Sequence, residues 1–190
     1  MERPRFPRRD QTSFLGDRSH LDRLLEGAEQ GERKRWNAWR RTHPGIRPDL
    51  RGANLSRADL RGFDLKRADL TGARLHSAQL WSAYLHRAKL YRTGLTGAAL
   101  RYANLSGADL RSANLVSADL SWADLRGADL RGALLIDANL NSARLQGAKL
   151  QTAAVVGANV WDIKIDKKTE QDDLVLNYIS GDPLEWASGL

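Results

Sequence analysis

The sequence has no cysteine, and this absence excludes disulfide bonds and thiolate metal sites. A chain without disulfides suits a reducing compartment, and we therefore expect a soluble, cytoplasmic protein. No apolar run approaches the length that crosses a bilayer, so no membrane contact is expected. The N-terminal segment MERPRFPRRD also lacks the apolar stretch of a secretory signal.

Acidic side chains are scarce in the body of the chain, and the net charge of +7 is unevenly shared. Residues 1–50 hold 12 basic and 8 acidic side chains, residues 51–160 hold 15 and 8, and residues 161–190 hold 3 and 7. A basic body favours acidic partners, nucleic acid among them, and argues against a protein that imitates DNA with a negative surface. The alternative is that arginine is simply a tolerated solvent-facing residue.

What the sequence does contain is a repeat of five residues. From Leu50 to Leu150 every fifth residue is leucine, 21 times without a break, and other aliphatic residues continue the register to Ile165. Alanine stands two residues before the centre of the repeat in 20 of 22 cases, and Phe63 and Thr93 are the exceptions. The repeating unit is therefore A-[DN]-L-x-x, and such internal repeats indicate a solenoid-like architecture.

A period of five fits neither a straight helix nor a straight strand. Five residues advance an α-helix by about 500°, so successive leucines would scatter around its axis. In a strand the side-chain period is two, so successive leucines would alternate between its faces. The chain must therefore turn once per repeat, with alanine and leucine inward on a three-residue strand and a turn at the next two residues.

This repeat resembles that of the pentapeptide-repeat family over about 60% of the chain. The resemblance implies an all-β solenoid, a right-handed quadrilateral β-helix with four pentapeptides per coil and about six coils here. An open solenoid exposes strand edges and needs caps. We expect a helical N-terminal cap and a short C-terminal cap.

The flanking sequences divide the chain into four parts. Residues 1–17 are a mobile basic arm, residues 18–47 a helical N-terminal cap in which Ser19 is the N-cap, residues 48–165 the β-helix, and residues 166–190 a C-terminal cap and tail. Whether the segment after Thr169 is helix or strand is left open. So is the question of whether the chain is one part of a larger or split system.

Four large apolar residues are predicted to make cap contacts. Trp36 and Trp39, three apart in a helical stretch, are interpreted as lids on the first coil, with ligand stacking as the alternative. Trp161 and Ile163 belong to the last coil. Ile163 occupies an alanine position there, and its larger side chain fits a coil with nothing above it.

Residues that could carry chemistry are few. The resemblance places His76 and His86, ten residues apart, on opposite sides of the coil, where they cannot share a metal ion. The aspartates that precede many leucines are better explained as solvated positions beside arginine than as acid–base pairs. There is no glycine-rich phosphate loop. We therefore expect no catalytic, cofactor or metal site and no enzymatic activity.

Any binding specificity of this sequence lies in its outward-facing residues. Residues 20 apart should stack along one side of the coil. Two clusters of exposed apolar side chains flank the side that contains Leu80, Leu100, Leu120 and Leu140, and such clusters mark interfaces. The candidate interface comprises Trp81, Tyr84, Arg101, Tyr102 and Trp122 in one cluster and Val116, Leu134, Ile136 and Val156 in the other. The alternative is that a chain terminus covers both clusters.

These features favour a non-enzymatic scaffold that binds a protein partner or a second copy of itself as a homodimer. The family resemblance also implies a modulator of DNA gyrase or another type II topoisomerase that acts by DNA mimicry and protects against quinolones. The positive charge of the repeats departs from that pattern. Direct nucleic-acid binding through the arginine-rich rows is the remaining alternative, and it predicts steeply salt-dependent affinity.

Overall fold

The computed structural model describes residues 14–29 and 31–172, and its framework is a coil that closes every 20 residues. Parallel bridges join the residue before each leucine to the residue 20 positions further on, from Asp49↔Asp69 to Arg144↔Lys164. Four pentapeptides therefore complete one turn, and successive turns stack into a four-sided β-helix. We number the sides by their leucines: the first contains Leu50, Leu70 and Leu90, the second Leu55 and Leu75, the third Leu60, Leu80, Leu100, Leu120 and Leu140, and the fourth Leu65 and Leu85.

Each side contributes a single bridged residue per coil. The predicted alternation of inward, outward and inward residues followed by a two-residue turn is present, and only the middle residue of the three is bridged. The backbone is nevertheless bonded regularly. The N–H of Leu105 donates to the carbonyl of Asp124 at 2.8 Å, and the N–H of Asp124 donates back to the carbonyl of Ala103 at 2.9 Å.

The interior is built from the leucine and alanine columns, which are buried along almost the whole solenoid. The two exceptions in the alanine column have local solutions. Thr93 is fully buried, and its hydroxyl donates to the carbonyl of Leu70 at 2.9 Å, so no polar group is left unsatisfied there. Phe63 lies in the first coil, where its ring approaches Gly27 of the N-terminal cap.

Two helices precede the solenoid, α1 at Arg18–Glu29 and α2 at Arg33–Thr42. The N-cap of α1 is Asp17, whose carboxylate accepts hydrogen bonds from the N–H groups of Ser19 at 2.8 Å and of His20 at 3.3 Å. The predicted cap at Ser19 is wrong, since Ser19 lies inside the helix and donates its own hydroxyl to Asp17. Neither described helix is long and apolar enough to cross a membrane.

The C-terminal end of the predicted mobile arm, residues 1–17, is hydrogen-bonded to the first coil. The N–H of Leu15 donates to the carbonyl of Arg51 at 2.9 Å, and that of Asp17 donates to the carbonyl of Asp49 at 3.0 Å. These two residues therefore lie against the first coil. The rest of the predicted arm, residues 1–13, falls outside the described residues.

The last described coil contains one extra residue, since Lys149 bridges to Glu170. Thr169 takes the inward position there, and its hydroxyl donates to the carbonyl of Leu145 at 3.0 Å. The leucine column ends in side chains that are only partly buried, at Val155, Val160 and Ile165, and Ile163 at the end of the alanine column is partly buried too. The question of helix or strand beyond Thr169 concerns mainly residues 173–190, which lie outside the described residues.

Candidate interaction surface

Three aromatic side chains form a ladder at the corner between the third and fourth sides. The ring centroids of Trp81 and Tyr102 are 6.3 Å apart, and those of Tyr102 and Trp122 are 6.1 Å apart with an interplanar angle of 20°. About half of each side chain is exposed, at 48%, 48% and 51%. We call these three residues the aromatic ladder. The ladder presents a continuous apolar strip across three coils.

The backbone under the aromatic ladder is in an unfavourable region for large side chains. Tyr102 has φ of 57° and Trp122 has φ of 61°, because the second turn residue of each repeat is left-handed. Glycine fills this position in many other repeats, and a residue with a Cβ atom costs about 1–2 kcal/mol there. Non-glycine residues nevertheless hold this conformation at 14 turn positions of the described coils, so the left-handed backbone belongs to the repeat as a whole.

Arg101 and Tyr84 occupy different places beside the aromatic ladder. The guanidinium of Arg101 lies 5.9 Å from the ring centroid of Tyr102, and one of its nitrogens is 3.8 Å from the carboxylate of Asp119. Tyr84 lies on the fourth side, where the ammonium of Lys66 is 5.0 Å from its ring centroid. Within the described residues Tyr84 has no ring contact with the aromatic ladder, so it borders the ladder without extending it.

The second predicted cluster lies on the opposite edge of the third side. Its members are Val116, Leu134, Ile136 and Val156, which we call the apolar patch. Leu134 is 40% exposed and the other three are partly buried. Val116, Ile136 and Val156 are stacked in consecutive coils, as their 20-residue spacing predicts. The aromatic ladder and the apolar patch therefore frame the third side without touching each other.

The tryptophans of the N-terminal cap lie against the first coil. Trp36 is fully buried, and its indole N–H donates to the carbonyl of Asp64 at 2.8 Å. Trp39 packs beside it with ring centroids 5.1 Å apart, and its ring also stacks on His43. At the other end Ile163 is half-buried, whereas Trp161 is 78% exposed. The side chain of Trp161 therefore packs little against the described coils.

Helix α2 supplies the first coil with hydrogen-bond partners that a preceding coil would otherwise give. The Asn37 amide donates to the carbonyl of Gly62 at 3.0 Å and accepts from the N–H of Asp64 at 2.9 Å. Arg33 and Arg40 donate to the carbonyls of Arg61 and Lys66 at 3.1 and 3.0 Å. These bonds satisfy a strand edge that would otherwise attract another chain.

Many arginines of the solenoid are neutralised by aspartates of the same repeat. In each D-L-R tripeptide the guanidinium donates two hydrogen bonds to the carboxylate two residues earlier, as Arg111 does to Asp109 at 2.8 and 2.7 Å. These bonds hold the pKa of Asp109 below its usual value, and those from Arg61 do the same for Asp59. The pairs are Asp49–Arg51, Asp59–Arg61, Asp109–Arg111, Asp124–Arg126 and Asp129–Arg131. The basic rows are therefore less positive than the arginine count indicates.

The lowered carboxyl pKa values predict a loss of stability in acid. A carboxyl whose pKa is lower in the folded than in the unfolded chain stabilises the fold above its unfolded pKa of about 3.9 and loses that contribution as pH falls through the folded pKa. The urea midpoint should be level between about pH 7 and 5 and should fall below about pH 4. Asp109→Asn should reduce this fall slightly, since a half-exposed pair contributes less than about 1 kcal/mol.

The control for this titration is Asp137→Asn, which removes an exposed carboxylate that forms no ion pair in the described part of the chain. We expect it to leave the acid loss unchanged. An equal effect of the two substitutions would contradict a role for the Asp109–Arg111 pair.

A cleft of about 840 Å³ lies between the start of α2 and the first two coils. We call it the cap cleft, and it was not predicted, because it joins residues about 30 and 50 positions apart. Trp81 lines both the cap cleft and the aromatic ladder. The remaining lining residues are Gly31, Glu32, Arg33, Lys34, Arg35, Asp59, Arg61, Gly62, Phe63 and Ser82.

No group of three or more His, Asp or Glu side chains within residues 14–29 and 31–172 is placed to hold a metal ion. His86 bonds to the hydroxyl of Ser106 at 2.8 Å on the fourth side, whereas His76 lies on the second side beside Gly94. The two histidines are thus on opposite sides of the coil.

The geometry defines a β-solenoid repeat protein, and comparison with known families gives the family. The model of pentapeptide repeats matches residues 49–87, 78–116 and 118–154 in eight copies. The chain therefore belongs to the pentapeptide-repeat family, whose fold is the right-handed quadrilateral β-helix. No curated protein sequence matches the chain.

Several solved structures are similar to the chain. HetL, a pentapeptide repeat protein of the cyanobacterium Nostoc involved in the regulation of heterocyst differentiation, is 41% identical over 60% of this chain and 58% of its own, with a TM-score of 0.25. A pentapeptide repeat protein of the cyanobacterium Cyanothece is 36% identical over 57% and 64%, with a TM-score of 0.28. The matches thus span less than two thirds of either protein.

A third structure is similar over a larger share of both chains. The plasmid-mediated fluoroquinolone resistance protein QnrB1 is 18% identical over 72% of this chain and 73% of its own, with a TM-score of 0.50. At this identity the likeness concerns the fold.

Proposed function

We propose that the chain is a non-enzymatic protein-binding module whose interface is the third side of the solenoid with the aromatic ladder and the apolar patch at its edges. The observation that carries the proposal is the aromatic ladder, in which three half-exposed rings stack across three coils. Exposed tryptophan, tyrosine and arginine side chains are enriched among the residues that dominate binding energy. The partner is a protein or a second copy of this chain.

The rigidity of the solenoid supports this function. Each coil is bonded to the next on all four sides, so the rings of the aromatic ladder are held in place before a partner arrives. A pre-organised surface loses little conformational entropy on binding.

The charges on the solenoid give less support to the two alternative functions, DNA mimicry and direct nucleic-acid binding. DNA mimicry by a topoisomerase modulator requires rows of unpaired negative charge, whereas five aspartates of the solenoid are bonded bidentately to arginine. The same pairs count against direct nucleic-acid binding, because they occupy guanidinium groups that would contact phosphate. Arginines that form no ion pair within the described residues, such as Arg67 and Arg87, lie at the corner between the fourth and first sides, away from the aromatic ladder.

The test replaces Arg101 with Glu and both Tyr102 and Trp122 with Ser. We expect this triple variant to fold, since all three side chains are exposed, and to lose at least about tenfold in affinity for a partner captured from the native host or for a second copy. Capture combined with light scattering measures both outcomes.

A matched control is Tyr91→Ser on the first side, which removes a tyrosine far from the aromatic ladder and should leave binding intact. The proposal is wrong if the triple variant retains every partner and the oligomeric state of the unmodified protein.

A further inference from the structure

The cap cleft and the aromatic ladder form one continuous surface. Trp81 belongs to both, since it lines the cleft and its ring lies 6.3 Å from that of Tyr102. A segment that leaves the cleft along the corner of the solenoid therefore meets Trp81, then Tyr102, then Trp122. The surface has a polar end at the cap and an apolar end on the middle coils.

The polar end carries a net positive charge. Arg35 is paired with Glu32, and Arg61 donates two hydrogen bonds to Asp59. Two further cations of the cleft, Arg33 and Lys34, are exposed and form no ion pair within the described residues. Arg33 uses one nitrogen to hold the carbonyl of Arg61, and its charge is not neutralised by that bond.

The first turn of α2 adds to this positive potential. It contains no acidic residue, and its N-cap residue Glu32 makes no capping hydrogen bond from its side chain. The N-terminal end of a helix carries a partial positive charge that is effective over the first turn. The cleft therefore complements one or two carboxylates.

The apolar end has the spacing of an extended peptide. Alternate side chains of a strand point to the same face and are about 6.6 Å apart. The ring centroids of the aromatic ladder are 6.3 and 6.1 Å apart, so alternate side chains of an extended segment would each meet one ring. Five residues at about 3.3 Å each cover the three rings, and two more reach into the cap cleft.

We infer that the cap cleft and the aromatic ladder together bind a short acidic segment of a partner protein, with its carboxylates at Arg33 and Lys34 and alternate apolar side chains on Trp81, Tyr102 and Trp122. The inference rests on the proposed function and specifies the chemistry of the partner. It adds a residue that the aromatic ladder alone would not include, Lys34 of the cap.

A single-stranded nucleic acid would also combine negative charge with stacking groups. It fits less well, because a phosphate backbone along the ladder would pass Asp119, whose carboxylate lies beside Arg101 and leaves no unpaired cation there. Along the cap cleft and the aromatic ladder, the cations that form no ion pair within the described residues are Arg33 and Lys34, and both lie in the cleft. A segment whose carboxylates are concentrated at one end matches this distribution better than a uniformly charged strand.

The test measures the fluorescence anisotropy of a fluorescein-labelled heptapeptide that begins with two glutamates and continues with phenylalanine and serine in alternation. The same peptide with lysine in place of glutamate and a labelled octathymidylate are the comparison probes. We expect the acidic peptide to bind and its affinity to fall as salt rises from about 50 to 300 mM, since half-exposed charges are screened. Lys34→Glu should weaken it about tenfold, and Trp81→Ser should weaken it as well.

The control is Arg92→Glu, the same charge reversal at the opposite corner of the solenoid, which should leave the affinity unchanged. Lys34 is exposed and glutamate is favourable in the first turn of a helix, so Lys34→Glu should fold. The inference is overturned if no acidic peptide binds, if the lysine peptide or the oligonucleotide binds as tightly, or if Lys34→Glu has no more effect than Arg92→Glu.

Failure of the inference can be separated from failure of the proposed function. A host partner that is lost in the triple variant at Arg101, Tyr102 and Trp122 but retained by Lys34→Glu supports the proposed function and refutes the acidic segment. A partner that is indifferent to both sets of substitutions refutes both.

Discussion

Leu105→Asp should unfold the solenoid. Leu105 is fully buried in the fourth side of a central coil, and its N–H and that of Asp124 tie two coils together. Removing the side chain costs about 2–5 kcal/mol in lost burial and cavity formation. A carboxylate without a partner in the same space adds several kcal/mol more, which together approach the whole stability of a domain, about 5–15 kcal/mol. We expect loss of the cooperative urea transition at neutral pH, measured by circular dichroism.

The matched control introduces the same residue one position earlier. Asn104→Asp places a carboxylate on an outward-facing, partly exposed position, where the side-chain oxygen accepts hydrogen bonds from the N–H and hydroxyl of Ser106 at 3.1 and 2.6 Å. An aspartate accepts the same two bonds. We expect a change below about 0.5 kcal/mol, as for most surface substitutions. Similar losses in the two variants would mean that the inward and outward positions of the repeat are wrongly assigned.

The contrast between Leu105 and Asn104 shows why so much of the fold follows from the sequence. The same pattern of inward and outward residues recurs every five residues, so every repeat predicts the same local backbone. A closed coil is the arrangement that buries every leucine. The number of bridged residues on each side was not predictable in the same way. Alternation over three residues does not say how many of them pair with the next coil, and the structure pairs only the middle one.

Parts of the candidate surface follow from the five-residue period, and other parts do not. Residues 20 apart stack in consecutive coils, so the pairing of Tyr102 with Trp122 follows from the period. The contact of Trp81 with Tyr102 joins adjacent turn positions of neighbouring coils, and the spacing only placed them at the same corner. The cap cleft depends on how α2 rests on the first coil, and nothing in the repeat encodes that angle. Lys34 was therefore missed.

The position of the aspartates beside arginine was predicted, and the five D-L-R tripeptides also indicate that the two partners belong to the same repeat. The residues before and after a leucine point outward on the same side of the coil, which brings the two side chains within reach of each other. These pairs leave the net charge of +7 unchanged and occupy five guanidinium groups. Other arginines of the solenoid, such as Arg67 and Arg87, form no ion pair within the described residues, and in the cap cleft the unpaired cations are Arg33 and Lys34.

Trp36→Ala should remove the N-terminal cap. Trp36 is fully buried between α2 and the first coil, and its indole N–H donates to the carbonyl of Asp64 at 2.8 Å. A buried tryptophan replaced by alanine costs about 3–5 kcal/mol. Trp36→Phe keeps most of the apolar contact and loses the hydrogen bond, which should cost about 1–3 kcal/mol because the carbonyl of Asp64 is left without that donor. Urea unfolding followed by circular dichroism measures both.

The Trp36→Ala variant also tests whether Trp36 helps to protect the strand edge of the first coil or contributes only buried apolar contact. If the cap protects a strand edge, Trp36→Ala should also expose the backbone that Asn37 and Arg40 now bind, and the protein should associate at concentrations at which the unmodified protein does not. Light scattering measures that association. A variant that loses stability but keeps its oligomeric state would show that Trp36 contributes burial alone. In that case the hydrogen bonds of Asn37 and Arg40 suffice to close the edge of the first coil.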